Sequence, residues 1–426
     1  MGQLEKFEQA VRDGDLENLR MQVEQLIKKF HNGTGEPESL YDLAGLMVDY
    51  GYLELADSLY EALLQIMPDE GQLKIDRAGT LLELGEEDEA LLLLTSITPE
   101  EEEYVQALLS LADFYQMSGM SETALIKVKE ALSLMPDEPV LRFASAELLL
   151  DAGRYIEAAT LYSGLYNEGI GEIGGIPIVS RLAETYSAGA AYEEAIPFYE
   201  LLLKESMTPD DLFGAAFAYF QADQPKRSTQ LVEQILDLDP DYFSAYMLAG
   251  QSFARMGDDQ QAYELFVRGI ARDEYDKELR LAAGKSALKL GLTSEAEVHL
   301  SEALALDPEY IDALIALASL YNEQEKNEEL LSLLAESDEV QTDLPILTAF
   351  RAYALEREEQ FADAYVSYSE AYAGMKEDPI FLDRYAHFLL EEGNRSKAIE
   401  IVKQRVAIEH NDEWAAFLEL SNDEEV

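Results

Sequence analysis

A 34-residue period runs along this chain and restricts what it can fold into. Gly51, Gly85, Gly119 and Gly153 are 34 residues apart, and the series resumes with Gly257, Gly291 and Gly393. Alanines follow these glycines at a constant distance of five residues: Ala56, Ala90, Ala124, Ala158, Ala262, Ala296 and Ala398. A fixed period of this size indicates stacked repeats, in which each unit packs only on its neighbours. We therefore expect one continuous array of small units rather than several globular domains.

The segment 105–138 shows most clearly what one unit contains. Apolar residues recur at helical spacing from Leu108 onward, and Gly119 ends this first helix because glycine tolerates the left-handed conformation of a C-terminal cap. Ser121 can begin a second helix, whose apolar face starts at Ala124. A helix pair with small residues at its crossing predicts closely packed helices.

These positions resemble the tetratricopeptide repeat (TPR) consensus, as do several other sets. Matching sets are Ala44, Gly51, Ala56, Tyr60 and Pro68; Ala146, Gly153, Ala158 and Tyr162; Gly250, Gly257, Ala262 and Phe266; and Gly284, Gly291, Ala296 and Pro308. Twelve units begin near residues 1, 37, 71, 105, 139, 176, 209, 243, 277, 311, 345 and 379. The resemblance implies an all-α, right-handed superhelical solenoid without a sheet, closed by a capping helix around Trp414. The style of the repeats is similar to that of cytosolic TPR proteins from Gram-positive bacteria.

Three segments depart from the pattern. The glycine-rich insert at 169–175 shifts the period, so 167–177 is a candidate hinge between an N-terminal array at 1–172 (about five repeats) and a C-terminal array at 173–426 (about seven repeats and the cap). Its Gly-x-Gly-x-x-Gly motif follows a predicted helix rather than a strand, which favours a loop over a nucleotide site. The unit at 311–344 has Glu325 and Leu330 in place of Gly and Ala, and we expect a looser helix pair there. The unit at 209–242 has Asp223 and Ser228 at the same two positions.

Composition limits the function classes. The chain has no cysteine, and 86 acidic against 31 basic residues give a formal charge of −55. Such a charge should repel nucleic acids and anionic membrane surfaces. Neither a signal peptide nor an apolar run long enough to span a bilayer is legible, so we expect a cytoplasmic protein. The four histidines are not at metal-ligand spacing, and no catalytic set or cofactor motif is recognisable.

The resemblance implies that the first helix of each repeat faces a concave groove. In the N-terminal half, the residues at these positions are mainly acidic: Tyr41, Asp49, Glu83, Asp113, Glu147, Asp151 and Glu184. Phe213, Phe217 and Phe220 form one stripe at helical spacing, which is either a binding platform or packing inside the array. Arg255, Lys285 and Lys289 also map to the groove, where they could hold a carboxylate or form internal salt bridges.

These features together predict a cytoplasmic, non-enzymatic scaffold or adaptor that binds a basic or amphipathic protein segment in its groove, without a cofactor. Phe213–Phe220 would anchor the segment and the acidic side chains would steer it. One alternative is self-association through the ends of the array or the groove, which would make the chain a structural protein. The other is an enzyme with an unrecognised site in the groove.

Overall fold

The computed structural model describes residue 7 and residues 16–205, 207–337 and 344–423. These residues form 24 helices and one short hairpin. The chain divides into two compact units, Met1–Met207 and Thr208–Val426. The predicted division at 172/173, with a hinge at 167–177, stays a prediction.

The first unit contains eleven helices and the hairpin within its described residues. They are α1 (Leu16–His31), α2 (Pro37–Asp49), α3 (Leu53–Leu64), α4 (Gly71–Leu84), α5 (Glu87–Thr95), α6 (Tyr104–Met117), α7 (Ser121–Leu134), α8 (Pro139–Asp151), α9 (Tyr155–Asn167), β1 (Glu172–Ile173), β2 (Ile176–Pro177), α10 (Ile178–Ala188) and α11 (Tyr192–Glu205).

The second unit contains thirteen helices within its described residues. They are α12 (Pro209–Gln221), α13 (Pro225–Leu238), α14 (Phe243–Arg255), α15 (Asp259–Ile270), α16 (Lys277–Lys289), α17 (Thr293–Leu306), α18 (Ile311–Glu323), α19 (Asn327–Ser337), α20 (Pro345–Arg357), α21 (Phe361–Met375), α22 (Pro379–Glu391), α23 (Arg395–Ile408) and α24 (Asp412–Asp423).

The helix pairs confirm the predicted repeats. From residue 37 onward each predicted unit is one pair of helices, beginning with α2 and α3 and ending with α22 and α23. The start of the first unit, predicted near residue 1, lies outside the described residues. Five helices that open a repeat carry proline at the first helical position, where its missing N–H costs nothing: Pro37, Pro139, Pro209, Pro345 and Pro379.

The turn inside each helix pair needs one residue in the left-handed conformation. Glycine takes this position at Gly51, Gly85, Gly119, Gly153, Gly257, Gly291 and Gly393, with φ between 71° and 82°. Where the sequence has no glycine, Ala190, Asp223, Glu325 and Glu359 take the same conformation, with φ between 56° and 58°. The turn geometry is therefore kept even where the residue is unsuited to it, at a cost of about 1–2 kcal/mol for each side chain that crowds the following carbonyl.

Small residues let the two helices of a repeat approach closely, as predicted. Ala112 and Ala124 are buried at the crossing of α6 and α7. At the crossing of α14 and α15 the position is Gly250, and an added Cβ would lie 2.2 Å from Cε1 of Phe266. Each crossing is thus fitted to the ring or aliphatic side chain opposite it.

The insert contains the one sheet among the described residues, and this corrects the expectation that the fold has none. Strands β1 and β2 pair antiparallel, with Glu172 opposite Pro177 and Ile173 opposite Ile176. Gly174 and Gly175 form the two-residue turn with φ of 59° and 79°. A turn with both central residues at positive φ matches the twist of a hairpin, which explains the paired glycines. The segment with the Gly-x-Gly-x-x-Gly motif therefore connects α9 and α10.

Helix α24 covers the end of the second unit, and this confirms the predicted capping helix. Trp414 is 3% exposed, and its Nε1 donates to Oδ1 of Asp383 at 2.7 Å. Nε of the buried Arg405 donates to the same oxygen at 2.9 Å. One carboxylate on α22 thus binds α23 and α24 together, and the indole covers apolar surface that the last repeat would otherwise expose.

Candidate partner-binding groove

The predicted groove residues lie on the first helices of the repeats, but their exposure differs. Tyr41 and eight charged residues are exposed: Asp49, Glu83, Asp113, Asp151, Glu184, Arg255, Lys285 and Lys289. Glu147, Phe213 and Phe217 are half-buried, whereas Phe220 is buried. The charged members can therefore meet a partner more readily than the aromatic ones.

Tyr41 lies beside a cleft of about 440 Å³ between the first helices of two successive repeats, α2 and α4. Its hydroxyl donates to Oδ2 of Asp76 at 2.7 Å, and Nε2 of Gln72 donates to Oδ1 of the same carboxylate at 2.8 Å. The ring packs edge-on against Tyr60, with centroids 6.2 Å apart. The hydrogen bond to Asp76 and partial burial raise the pKa of Tyr41 to about 12, so the phenol stays protonated and holds one orientation.

This Tyr41 cleft has an apolar floor and an acidic rim. Leu63 and Leu73 are buried and Met67 is half-buried beneath it. Three exposed carboxylates line its edge: Glu38, Asp42 and Glu70. Of the lining residues, the sequence had singled out only Tyr41. The others come from α2, α3, α4 and the loop between α3 and α4, so the cleft is built by residues outside the repeat positions used to predict the groove.

Glu147 and Glu184 are less available than predicted because one arginine binds both. Nε of Arg181 lies 2.9 Å from Oε1 of Glu147, and Nη1 of Arg181 lies 2.7 Å from Oε2 of Glu184. The hydroxyl of Tyr162 also donates to Glu147. This part of the groove therefore has less unpaired negative charge than its carboxylate count suggests.

Asp113 and Asp151 illustrate two environments on the same face. Surrounding protein desolvates the carboxyl of Asp113 and raises its pKa above the usual value, although the residue as a whole is exposed. Asp151 accepts a hydrogen bond from Nε2 of Gln116, which lies one repeat earlier. Desolvation strengthens the attraction of a carboxylate for an incoming cation, so Asp113 is the better placed of the two to recognise a charge.

Neighbouring residues cover part of the phenylalanine stripe, for which the spacing left both a binding platform and internal packing open. The guanidinium of Arg255 lies over the Phe220 ring, 3.8 Å from its centroid, and Nη1 donates to the Phe220 carbonyl at 2.6 Å. Phe213 packs against Tyr242, with centroids 5.3 Å apart. Phe220 is thus part of the contact between two repeats, and only Phe213 and Phe217 keep partial exposure.

Arg255 repeats three periods later as Arg357, which the sequence reasoning missed. Nη1 of Arg357 donates to the carbonyl of Asn322 at 3.1 Å, the same relation as between Arg255 and Phe220. In both cases an arginine at the end of one first helix donates to a carbonyl in the last turn of the preceding first helix, which also accepts from a backbone N–H of the following turn. The separation of 102 residues was the signal in the sequence that could have identified it.

The basic stretch from Arg255 to Lys289 is held mainly by internal ion pairs. Lys277 lies 2.6 Å from Asp307, and Lys289 lies 3.3 Å from Asp259. Arg272 pairs with Asp241, and Arg280 pairs with Glu302. Within the described residues Lys285 has no ion-pair partner and is exposed. Of the three residues predicted to lie in the groove, Lys289 therefore forms an internal salt bridge, and Arg255 contacts Phe220.

No helix in the described part of the chain is both long and apolar enough to cross a membrane. The same residues contain no group of three or more His, Asp or Glu side chains arranged to hold a metal ion.

Comparison with known proteins identifies the repeats. A family model described as YpiA-like tetratricopeptide repeats matches residues 116–170, and one described as YpiA-like C-terminal tetratricopeptide repeats matches residues 345–412. A general tetratricopeptide repeat model matches residues 179–212. The matches fall in both compact units, so the repeat type is the same in each.

Individual relatives agree with these family models. The chain is 36% identical over 361 residues to the TPR repeat-containing protein YpiA of Bacillus subtilis, covering 85% of each protein. It is 22% identical over 335 residues to the cellulose synthase operon protein C of Pseudomonas fluorescens, which covers 76% of this chain and only 24% of that protein. Among solved structures, the C-terminal part of a TPR repeat-containing protein from Cytophaga hutchinsonii has a TM-score of 0.45 and 16% identity, and covers 64% of this chain and 98% of that one. The chain therefore belongs to the YpiA-like family of tetratricopeptide-repeat proteins.

Proposed function

We propose that this chain is a non-enzymatic scaffold or adaptor that binds a basic, amphipathic segment of a partner protein along the first helices of its repeats. The observation that carries the proposal is the Tyr41 cleft, which combines a floor of Leu63, Met67 and Leu73 with exposed carboxylates at its edge. Membership of a TPR family supports protein binding in general, and the cleft adds the chemistry of the bound segment.

A lysine or arginine side chain fits such a cleft in two ways. Its methylene stem packs on the apolar floor while its charged end reaches the carboxylates at the rim. A leucine or methionine on the same face of the segment would extend the apolar contact. The formal charge of −55 acts at longer range, since it raises the rate at which a cationic segment encounters the surface.

Phe213 and Phe217 are candidates for a further apolar contact in the second unit. Both are half-buried, so each presents part of its ring while the rest is held by the protein. Aromatic side chains in this state make effective anchors because little side-chain entropy is lost on binding. We expect Phe217→Ala to weaken binding by at least about 1 kcal/mol without unfolding the protein.

The test compares two charge reversals of equal size. One variant carries Glu38→Lys and Asp42→Lys at the rim of the Tyr41 cleft; the control carries Glu87→Lys and Asp88→Lys in the exposed first turn of α5. The probe is a synthetic amphipathic helix of lysine and leucine, measured by calorimetry at several salt concentrations. We expect the rim variant to lose about tenfold in affinity, whereas the control should lose less than about threefold.

Equal losses in the two variants would mean that the peptide senses only net charge, and the cleft would not be the site. The same pair of variants can then be used to capture partners from bacterial extract. A partner retained by the control and lost by the rim variant would identify the pathway, and a partner list that is identical for both would contradict the proposal.

A further inference from the structure

A second cleft, of about 500 Å³, lies in the first unit away from the predicted groove positions. It is formed by one face of α9, the C-terminal end of α10 and the turn that follows α10. We call it the α9–α10 cleft, and its defining residues are Tyr155, Ala159, Ser163, Gly164, Thr185 and Tyr186. The groove residue of α10 predicted from the sequence, Glu184, does not line it.

Gly164 opens this cleft. An added Cβ at Gly164 would meet nothing within 4 Å. At the matching position the repeats that begin at 105, 243 and 277 have the large charged residues Glu130, Arg268 and Glu302. In the repeat that begins at 139 that side chain is missing, and the space it would cover stays open.

Helix α9 is anchored in the core by the face opposite the cleft. Ala158, Tyr162 and Leu165 are each fully buried in the core between α9 and its neighbours. The Tyr186 ring is also held in place, because it stacks on Phe198 with centroids 5.7 Å apart and planes 10° apart. The cleft is therefore a built feature of the packing.

The hydroxyl of Thr185, at the α9–α10 cleft, is buried without a hydrogen bond among the described residues. The residue has no solvent exposure, and its Oγ1 has no hydrogen-bond partner among the described residues. Thr80 occupies the same repeat position in α4, is buried, and donates to the carbonyl of Asp76 at 3.0 Å. A buried hydroxyl without a partner is costly, and the comparison with Thr80 shows that the position itself permits a satisfied one.

The chemistry of the lining selects a neutral occupant. In a chain of charge −55, none of the residues lining the α9–α10 cleft is charged. Its walls are apolar or aromatic, and Ile156 at the edge is 85% exposed. Its polar side chains are five hydroxyls and the amide of Asn167. The hydroxyls of Ser163 and Tyr186 lie 3.5 Å apart, at the limit of a hydrogen bond. An aromatic group with one hydroxyl satisfies both parts of this lining.

We propose that the α9–α10 cleft receives a tyrosine side chain from a partner protein. The ring lies on Ala159 and the space left by Gly164, between Tyr155 and Tyr186. The phenol hydroxyl forms hydrogen bonds with the hydroxyls of Ser163 and Tyr186. It also bonds to Oγ1 of Thr185, which changes places with the methyl group of that residue on rotation about χ1. The cleft is open to solvent, which suits a side chain entering from outside. The site is independent of the Tyr41 cleft, so either proposal can fail alone.

The test uses N-acetyl-L-tyrosinamide as probe, with N-acetyl-L-phenylalaninamide and N-acetyl-L-lysinamide as comparisons. Methyl resonances of Ile156 and Ala159 in the full-length protein report binding. We expect the tyrosine amide to shift both, the phenylalanine amide to bind about two- to tenfold more weakly for want of one neutral hydrogen bond, and the lysine amide to shift neither.

Two variants locate the site. Gly164→Leu, whose Cβ would meet nothing within 4 Å, should fill the cleft and abolish the shift of the Ala159 methyl group. Thr185→Val should reduce the affinity for the tyrosine amide to that for the phenylalanine amide. Binding of the tyrosine amide that is unchanged in Gly164→Leu, or no shift at the highest soluble probe concentration, would overturn the proposal. Equal affinity for the tyrosine and phenylalanine amides would overturn it as well.

A stability measurement on the unliganded protein separates Thr185 from an ordinary core residue. Thr185→Val should leave the thermal midpoint of the first unit unchanged or raise it, because no hydrogen bond is lost. Thr80→Val, the matched control, should lower the midpoint because it breaks the bond to Asp76. A midpoint lowered equally by both variants would show that the Thr185 hydroxyl is already satisfied, which would contradict the proposal.

Discussion

The close helix crossing at Gly250 allows a sharp test of how these repeats are packed. In Gly250→Ala, the new Cβ would lie 2.2 Å from Cε1 and 2.5 Å from Cζ of Phe266. Carbon atoms in ordinary contact lie about 3.5–4.0 Å apart, so the ring or helix α15 must move by more than about 1 Å. Phe266 is 3% exposed, so neighbouring residues enclose its ring.

Two opposing effects set the change in stability caused by Gly250→Ala. Overpacking of this kind costs about 1–3 kcal/mol. Alanine in a helix interior is favoured over glycine by about 0.8–1.0 kcal/mol. The matched control is Gly79→Ala in α4, where an added Cβ meets nothing within 4 Å and only the helix preference acts. Gly79→Ala should therefore stabilise its repeat by about 1 kcal/mol, and the difference between the two variants should be the overpacking cost of about 1–3 kcal/mol.

Hydrogen exchange measured by mass spectrometry is the appropriate assay, because each repeat of such an array opens with its own free energy. Peptides from α14 and α15 report on Gly250→Ala, and peptides from α4 and α5 report on Gly79→Ala. Phe266→Leu should recover part of the loss, with a coupling energy of at least about 1 kcal/mol in the double-mutant cycle. The reasoning is refuted if Gly250→Ala stabilises its repeat as much as Gly79→Ala does, or if the coupling energy is zero.

Two further predictions concern turns and pH. Glu359→Gly should stabilise the α20–α21 pair by up to about 1 kcal/mol, because relief of about 1–2 kcal/mol of left-handed strain exceeds the 0.4–1 kcal/mol that glycine loses through the unfolded chain. Gly393→Ala, the reverse change at the matching turn, should destabilise the α22–α23 pair by about 1 kcal/mol. Urea denaturation that finds Gly393→Ala more stable than Glu359→Gly, each relative to the unmodified protein, would contradict this expectation. Burial, and secondarily the charge of Arg280, lowers the pKa of His299, whose Nε2 lies 3.4 Å from the Tyr263 hydroxyl while Glu295 opposes the shift. The stability that His299 contributes is therefore complete above its unfolded pKa of about 6.5 and is lost as the pH falls through its folded pKa. The protection factors of amides in α17, which are exchange rates divided into the intrinsic rates at each pH, should fall between pH 7 and pH 5. His299→Gln should remove the part of that fall that depends on this ring, and an identical pH profile in the variant would exclude His299 as the cause.

The sequence predicted the candidate site only in part. Tyr41 was identified because its repeat position faces the groove, and it is exposed as expected. Phe220 was identified by the same rule but is buried, because Arg255 from the next repeat covers it. A rule based on position describes one repeat at a time, whereas the cover comes from a side chain 35 residues away. The pairing of Glu147 and Glu184 through Arg181 has the same origin.

The sequence by itself determined the repeat length, the starts of the helix pairs from residue 37 onward and the capping role of the segment around Trp414. These follow from local chemistry: apolar residues at helical spacing, small residues where helices cross and a left-handed residue at each turn. Only the tertiary structure decided which polar side chains remain free. It placed Glu359 in a glycine conformation, formed a hairpin from Gly174 and Gly175, and left the hydroxyl of Thr185 without a partner among the described residues. The physical reason is that exposure and pairing depend on side chains from neighbouring repeats, whose distances are set by packing and are not encoded in any single 34-residue unit.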